Sequence, residues 1–96
     1  MDVVCKVMMT KLAEKQIRKV PSHIQESIVI WATSVEELGI RRVRLLPGYH
    51  DEPLSGKLRG QRSVRLNRSY RLFYTQDIGT KCITITVLEV NHHEYK

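Results

Sequence analysis

Sulfur and large aromatics are sparse in this chain, which has two cysteines, one tryptophan and one phenylalanine among 96 residues. Cys5 and Cys82 cannot build a zinc site without histidines, and the histidines are spaced quite differently. Both cysteines fall in β-like segments, where a free thiol behaves as a small hydrophobe, so buried thiols are the expectation. No apolar run approaches the roughly 20 residues of a membrane-spanning helix. The N-terminal MDVVCKVMM lacks a cationic region followed by a long apolar one, so the chain reads as cytoplasmic, with no membrane partner. No phosphate-cradling glycine loop is present, because Gly56-Lys-Leu-Arg-Gly60 lacks both the P-loop spacing and the Ser or Thr after lysine. No serine or cysteine stands with an orienting base as a nucleophile would. Carboxylates are also scarce, ten Asp and Glu against sixteen Lys and Arg, for a net charge of +6 and a pI near 9.6.

What the chain does have is arginine, concentrated where carboxylates are absent. Lys57, Arg59, Arg62, Arg65, Arg68 and Arg71 recur at near-regular intervals through Gly56 to Tyr74, a window without one acidic residue. Between Arg41 and Arg71 the only acids are Asp51 and Glu52. A scattered surplus aids solubility, whereas a concentrated one makes a patch whose complement is a polyanion, with phosphate the commonest. Charge alone admits nucleic acid, an anionic membrane surface or an acidic protein, and with no membrane partner expected, nucleic acid and acidic protein remain.

The length suits one domain over residues 1–96 with a single modest core. Val3 to Met9 reads as a strand and Lys11 to Lys19 as a helix, with Leu12, Ala13 and Ile17 on one stripe. From Ser22, the apolar positions Ile24, Ile28, Trp31, Ala32, Val35 and Leu38 recur at helical spacing up to Gly39, and Ser22 with Gln25 makes a capping box. Trp31 belongs to the core stripe and His23 to the surface. Ile40 to Gly60 is dense in Pro and Gly and reads as a long surface loop, with a short strand at Arg42 to Leu46 and with His50, Asp51 and Glu52 solvated. Strands follow at Gln61 to Leu66, Tyr70 to Thr75 and Lys81 to Val90, turning at Asn67-Arg68 and at Gln76 to Thr80. The expected fold is α+β in the order β-α-α-β-β-β, a small, mostly antiparallel sheet with both N-terminal helices on one face and the other partly open.

Strand parity sorts the cations. Ser63 and Arg65 leave the face that Val64 and Leu66 occupy, and Arg71 and Phe73 leave the face of Tyr70, Leu72 and Tyr74. A guanidinium beside an aromatic ring suits RNA, because phosphate contact and base stacking are then available together. The ending Asn91-His92-His93-Glu94-Tyr95-Lys96 gathers groups capable of proton transfer, although adjacent histidines on a strand point in opposite directions. His-His-Glu lacks the spacing of a metal site, so neither metal nor cofactor is expected.

The passage PLSGKLRGQRSVRLNRSYRLFY, the ending VNHHEYK and the order of elements together resemble the RelE/HigB group of the RelE/ParE superfamily, toxins of bacterial type II toxin-antitoxin systems. The resemblance covers essentially the whole chain. It implies a ribosome-dependent mRNA endoribonuclease in which the message's own 2′-OH attacks the adjacent phosphate without a metal. It implies that Arg65 and Arg71 hold the scissile phosphate and that His93 and Tyr95 act in proton transfer or base stacking. Lys57 and Arg59 would grip the RNA backbone, with Arg62, Arg68 and His92 as further RNA or ribosome contacts. His92, His93, Glu89 and Tyr95 all stay open as the acid or base. A helix-turn-helix antitoxin of the HigA kind is implied as partner, with operator DNA reached only through it. The ParE branch shares the fold and inhibits DNA gyrase, and a non-catalytic RNA-binding or ribosome-binding module is a third reading.

Overall fold

The computed structural model describes residues 3–92. Strand β1 (Val4–Met9) leads into helix α1 (Lys11–Ile17), α2 (Ser22–Leu38) and a short α3 (Ile40–Arg44). A two-residue strand β2 (Glu52–Pro53) lies between 3-10 turns at Pro47–Tyr49 and Gly56–Leu58, and β3 (Arg62–Arg65), β4 (Tyr70–Ile78) and β5 (Ile83–His92) complete the sheet. Thr10 starts α1 by accepting from the Ala13 amide at 3.0 Å, satisfying one of the donors a helix N-terminus leaves open. The start of α2 differs from the expected capping box. Pro21 is its N-cap and no side chain caps it. Gln25 instead donates its Nε2 to the Ile17 carbonyl at 2.9 Å, tying the end of α1 to the beginning of α2.

Gly39 ends α2 at φ 88°, a left-handed value that only glycine adopts without strain. The chain then re-enters a helix where a short strand over Arg42 to Leu46 was expected. Ile40 and Val43 are both buried and three residues apart, a helical period rather than a strand's. The glycine and proline tract is therefore a series of short ordered turns, not one open loop.

The sheet runs in the order β1-β5-β4-β3-β2 and is antiparallel except where β1 lies parallel to β5. Its helix-covered face packs Val64, Leu72, Tyr74, Ile85 and Val87 against Ile24, Ile28, Trp31 and Val35 of α2, all of them essentially inaccessible to solvent. The arrangement is the α+β architecture expected, with β2 and α3 added. Beyond Met9, α1 takes over the neighbouring position along β5, and the Gln16 side chain accepts from the Val90 amide at 2.7 Å.

One irregularity in β5 decides which residues reach the open face. Phe73 is paired with Glu89 but Tyr74 with Val87, so Leu88 is an extra residue, a β-bulge. Ile83, Ile85 and Val87 enter the core by strict alternation, and after the bulge Val90 does so too. Glu89 and Asn91 are thereby sent to the opposite side. Cys82 departs from expectation, being half-buried and disulfide-bonded rather than a buried free thiol. Among the described residues no helix is long and apolar enough to cross a membrane.

Candidate functional site

The uncovered face presents a small array of side chains fixed by strand register. Arg65 on β3 lies opposite Arg71 on β4, and Arg71 lies opposite Asn91 on β5. In the adjoining row Ser63 lies opposite Phe73, and Phe73 opposite Glu89. With strands about 4.8 Å apart, three columns and two rows cover roughly 10 by 7 Å, the scale of one phosphodiester and its riboses. Two bonds stitch the array together: Arg71 Nη1 donates to Ser63 Oγ at 2.9 Å, and Asn91 Nδ2 donates to Glu89 Oε1 at 2.8 Å. Like charges set directly opposite one another destabilise a sheet, and an anion lying over the Arg65 and Arg71 pair reverses the sign of that interaction.

The parity of Arg65, Arg71 and Phe73 is as the sequence suggested, and all three are half-buried. The hairpin between β3 and β4 turns at Asn67, whose Oδ1 accepts from the Ser69 and Tyr70 amides at 2.7 and 2.8 Å, leaving Arg68 exposed at the tip. Lys57 and Arg59 are exposed on the segment that leads into β3, at the end of that strand remote from Arg65. They are not part of the array. His92 closes β5 on the other face and meets the Tyr70 ring edge-on at 5.1 Å. His93 and Tyr95 lie outside the described residues.

Arg62 has a different environment from the one expected of an RNA contact. Its Nε donates to Asp51 Oδ1 at 2.5 Å, and the Asp51 side chain is only 1% exposed. Asp51, expected to be solvated, is thus a buried counterion. The carboxylate that Gly56 to Tyr74 lacks arrives from the preceding turn, where His50 adopts a left-handed backbone (φ 43°) and redirects the chain beneath the sheet edge. Tyr74 donates its hydroxyl to Asp51 Oδ2 at 2.6 Å, and Arg44 Nε stands 4.0 Å from Oδ1 while its Nη2 donates to Gln76 Oε1 at 2.7 Å.

Burial, reinforced by the bond to Asp51, raises the Tyr74 phenol far above its usual value of 10.0. A proton retained in the folded state but released in the unfolded one means stability that is full below about pH 10 and falls as pH rises further. Tyr74→Phe should therefore be less stable than the parent at pH 8, by about 1 to 3 kcal/mol for a bond to a charged group. Its disadvantage should narrow toward about pH 11, as read from urea midpoints across that range.

Sequence reasoning missed Ser63 and Asn91 as members of the array and Asp51 as the hub below it. Glu89 stood there only as one of several proton-transfer alternatives, and the bulge is what places it beside Phe73 on the open face.

Neither a family model nor a curated protein matches the chain. Solved structures do. The toxin-antitoxin complex RelBE2 from Mycobacterium tuberculosis contains a chain 28% identical to this one, with a TM-score of 0.65 over 95% of this chain and 100% of that one. A YoeB dimer from Staphylococcus aureus gives a TM-score of 0.69 at 20% identity, over 98% of this chain and 100% of that one. YafQ from E. coli strain BL21(DE3) gives 0.71 at 13% identity, over 92% of each. The last two are matches of fold alone, and with the full-length match to RelBE2 they show that this chain has the α+β fold of RelE/ParE-type toxins, which it resembles over nearly its whole length.

Proposed function

We propose that the chain is the toxin of a toxin-antitoxin pair and acts as an endoribonuclease on mRNA in the ribosome. The observation that carries this reading is Arg65 set opposite Arg71, with Phe73, Glu89 and Asn91 half-buried on the same face of the sheet and Ser63, itself buried, bonded to Arg71. Cleavage without a metal requires the 2′-oxygen to bond to phosphorus as the bond from phosphorus to the 5′-oxygen breaks, giving a 2′,3′-cyclic phosphate and a free 5′-OH. The attacking hydroxyl's proton goes to a base, and the leaving oxygen takes one from an acid. Charge grows on the non-bridging oxygens along the way, and two guanidiniums over the phosphate stabilise it. Glu89 is the carboxylate of the array and suits the base, with His93 and Tyr95 as further proton-transfer groups. Phe73 offers a ring against which a base can stack. Lys57, Arg59 and Arg68 serve as outlying backbone contacts, whose removal weakens binding and its salt dependence rather than the chemical step.

A toxin needs a cognate antitoxin, and the RelBE2 and DinJ-YafQ structures are complexes of that kind. A helix-turn-helix antitoxin is our choice for this one. Induced expression is expected to arrest growth, and mapping of RNA ends should show new 5′-OH termini within translated messages. Growth arrest with intact mRNA and altered plasmid topology would replace this reading with gyrase inhibition. Arrest that needs Arg71 but leaves mRNA and plasmid topology unchanged would indicate a non-catalytic ribosome-binding module.

A further inference from the structure

Beside the array, where β3 ends, a groove of about 240 Å³ opens to solvent between the turn Pro47–Tyr49 and the strand. Leu46, Gly48, Tyr49, Arg65 and Leu66 line it. The Tyr49 ring is half-buried and Leu66 packs on the core, so the walls are fixed, while Leu46 is 44% exposed at the mouth. Arg65 belongs to both places, lining this groove and standing opposite Arg71 in the array.

We propose that this groove is a subsite for one unpaired nucleobase, the base attached to a nucleotide flanking the phosphate held by Arg65 and Arg71. The inference rests on the ribonuclease reading above and adds to it a second binding element beside the array. Size argues for a single ring system, since pockets for larger ligands run from about 300 Å³ upward. Chemistry argues for a base over an aliphatic side chain: a tyrosine ring, two leucines and a guanidinium offer apolar and cation–π contact to any base, with no fixed pattern of polar groups to select one. Connectivity argues for it as well, because a phosphate on Arg65 brings its own nucleoside to the groove's lip. The Tyr49 phenol, neutral at physiological pH at its usual value of 10.0 and raised further by burial, does not repel the RNA backbone.

Gly48 provides a selective test. A Cβ built there meets no atom within 4 Å, and Gly48 is not among the glycines with positive φ, so Gly48→Leu adds a bulky side chain to the groove's lining without straining the fold. Programmed ribosomes would carry a message in which the base on each side of the cleaved bond is, in turn, intact or absent as an abasic nucleotide. At one of those positions the unaltered protein should cleave the abasic message roughly five- to a hundredfold more slowly than the intact one, from the stacking lost with one base. Gly48→Leu should slow cleavage of the intact message to that same level and leave the abasic message unaffected. Equal rates on intact and abasic messages at both positions, with Arg71→Ala still inactive, would overturn the subsite and leave the ribonuclease reading standing. A Gly48→Leu protein that cleaves normally but escapes its antitoxin would show that the groove takes a protein side chain instead, also overturning the inference. No cleavage of any message by the unaltered protein would remove both readings together.

Discussion

Arg71→Ala is expected to lower the single-turnover rate of cleavage on programmed ribosomes by about 10²- to 10³-fold, the usual loss when one pre-positioned donor to a developing oxyanion is removed. The magnitude follows from position rather than charge alone. Arg71 is the central column of the array, between Arg65 and Asn91, and its guanidinium is oriented by the bond to Ser63 Oγ. Arg71→Lys keeps a cation but loses the planar fork, and should recover only part of the rate. Arg68→Ala, at the hairpin tip, should leave the saturated rate intact while raising the concentration needed to reach it and reducing the salt dependence. Equal losses for Arg68→Ala and Arg71→Ala would mean that the patch acts only by bulk charge, and the assignment of a chemical role to Arg71 would fall.

Asp51→Ala should be strongly destabilising, at about 3 to 5 kcal/mol. It leaves the Arg62 guanidinium, 20% exposed, without its counterion, and the Tyr74 hydroxyl without its acceptor. Domains of this size have about 5 to 15 kcal/mol in total, so urea denaturation should show a midpoint sharply reduced or a protein unfolded from the start. Arg62→Ala alone should also be severe, since it strands a carboxylate that is 1% exposed. The double change Asp51→Leu with Arg62→Met removes both charges together and should recover the part of the loss owed to the unpaired guanidinium, while the Tyr74 hydroxyl still lacks its acceptor. If the double variant proved no better than Asp51→Ala, the carboxylate and guanidinium would not be acting as a pair.

The contrast between these two arginines shows how far the sequence could be read. Alternation within β3 and β4 correctly sent Arg65, Arg71 and Phe73 away from the core, because side-chain direction along a strand is a local property. The partner of Arg62 was not legible in the same way. Asp51 lies eleven residues upstream, in a tract whose glycines and prolines suggested solvent, and only the left-handed turn at His50 brings it beneath the sheet. Glu89 is an intermediate case. Its place depends on the bulge at Leu88, and the faint trace of that bulge is the break in alternation where Val87 and Leu88 are apolar in succession. Helix α3 was misjudged because five residues are too few for periodicity to outweigh neighbouring breakers, and its helical state comes from packing Ile40 and Val43 into a core assembled by distant strands.

The parallel pairing of β1 with β5 bears on when the protein comes into being during its own synthesis. The first strand has no sheet to join until the last is made, and Thr10 reaches across 78 positions to bond the Leu88 carbonyl. Contacts this distant in sequence close slowly and late. Glu89 and Asn91, the third column of the array, are themselves on the strand that arrives last. A ribosome making this chain therefore holds a nascent polypeptide without a finished array until residues 83–92 have emerged, and the interval before closure is set by topology.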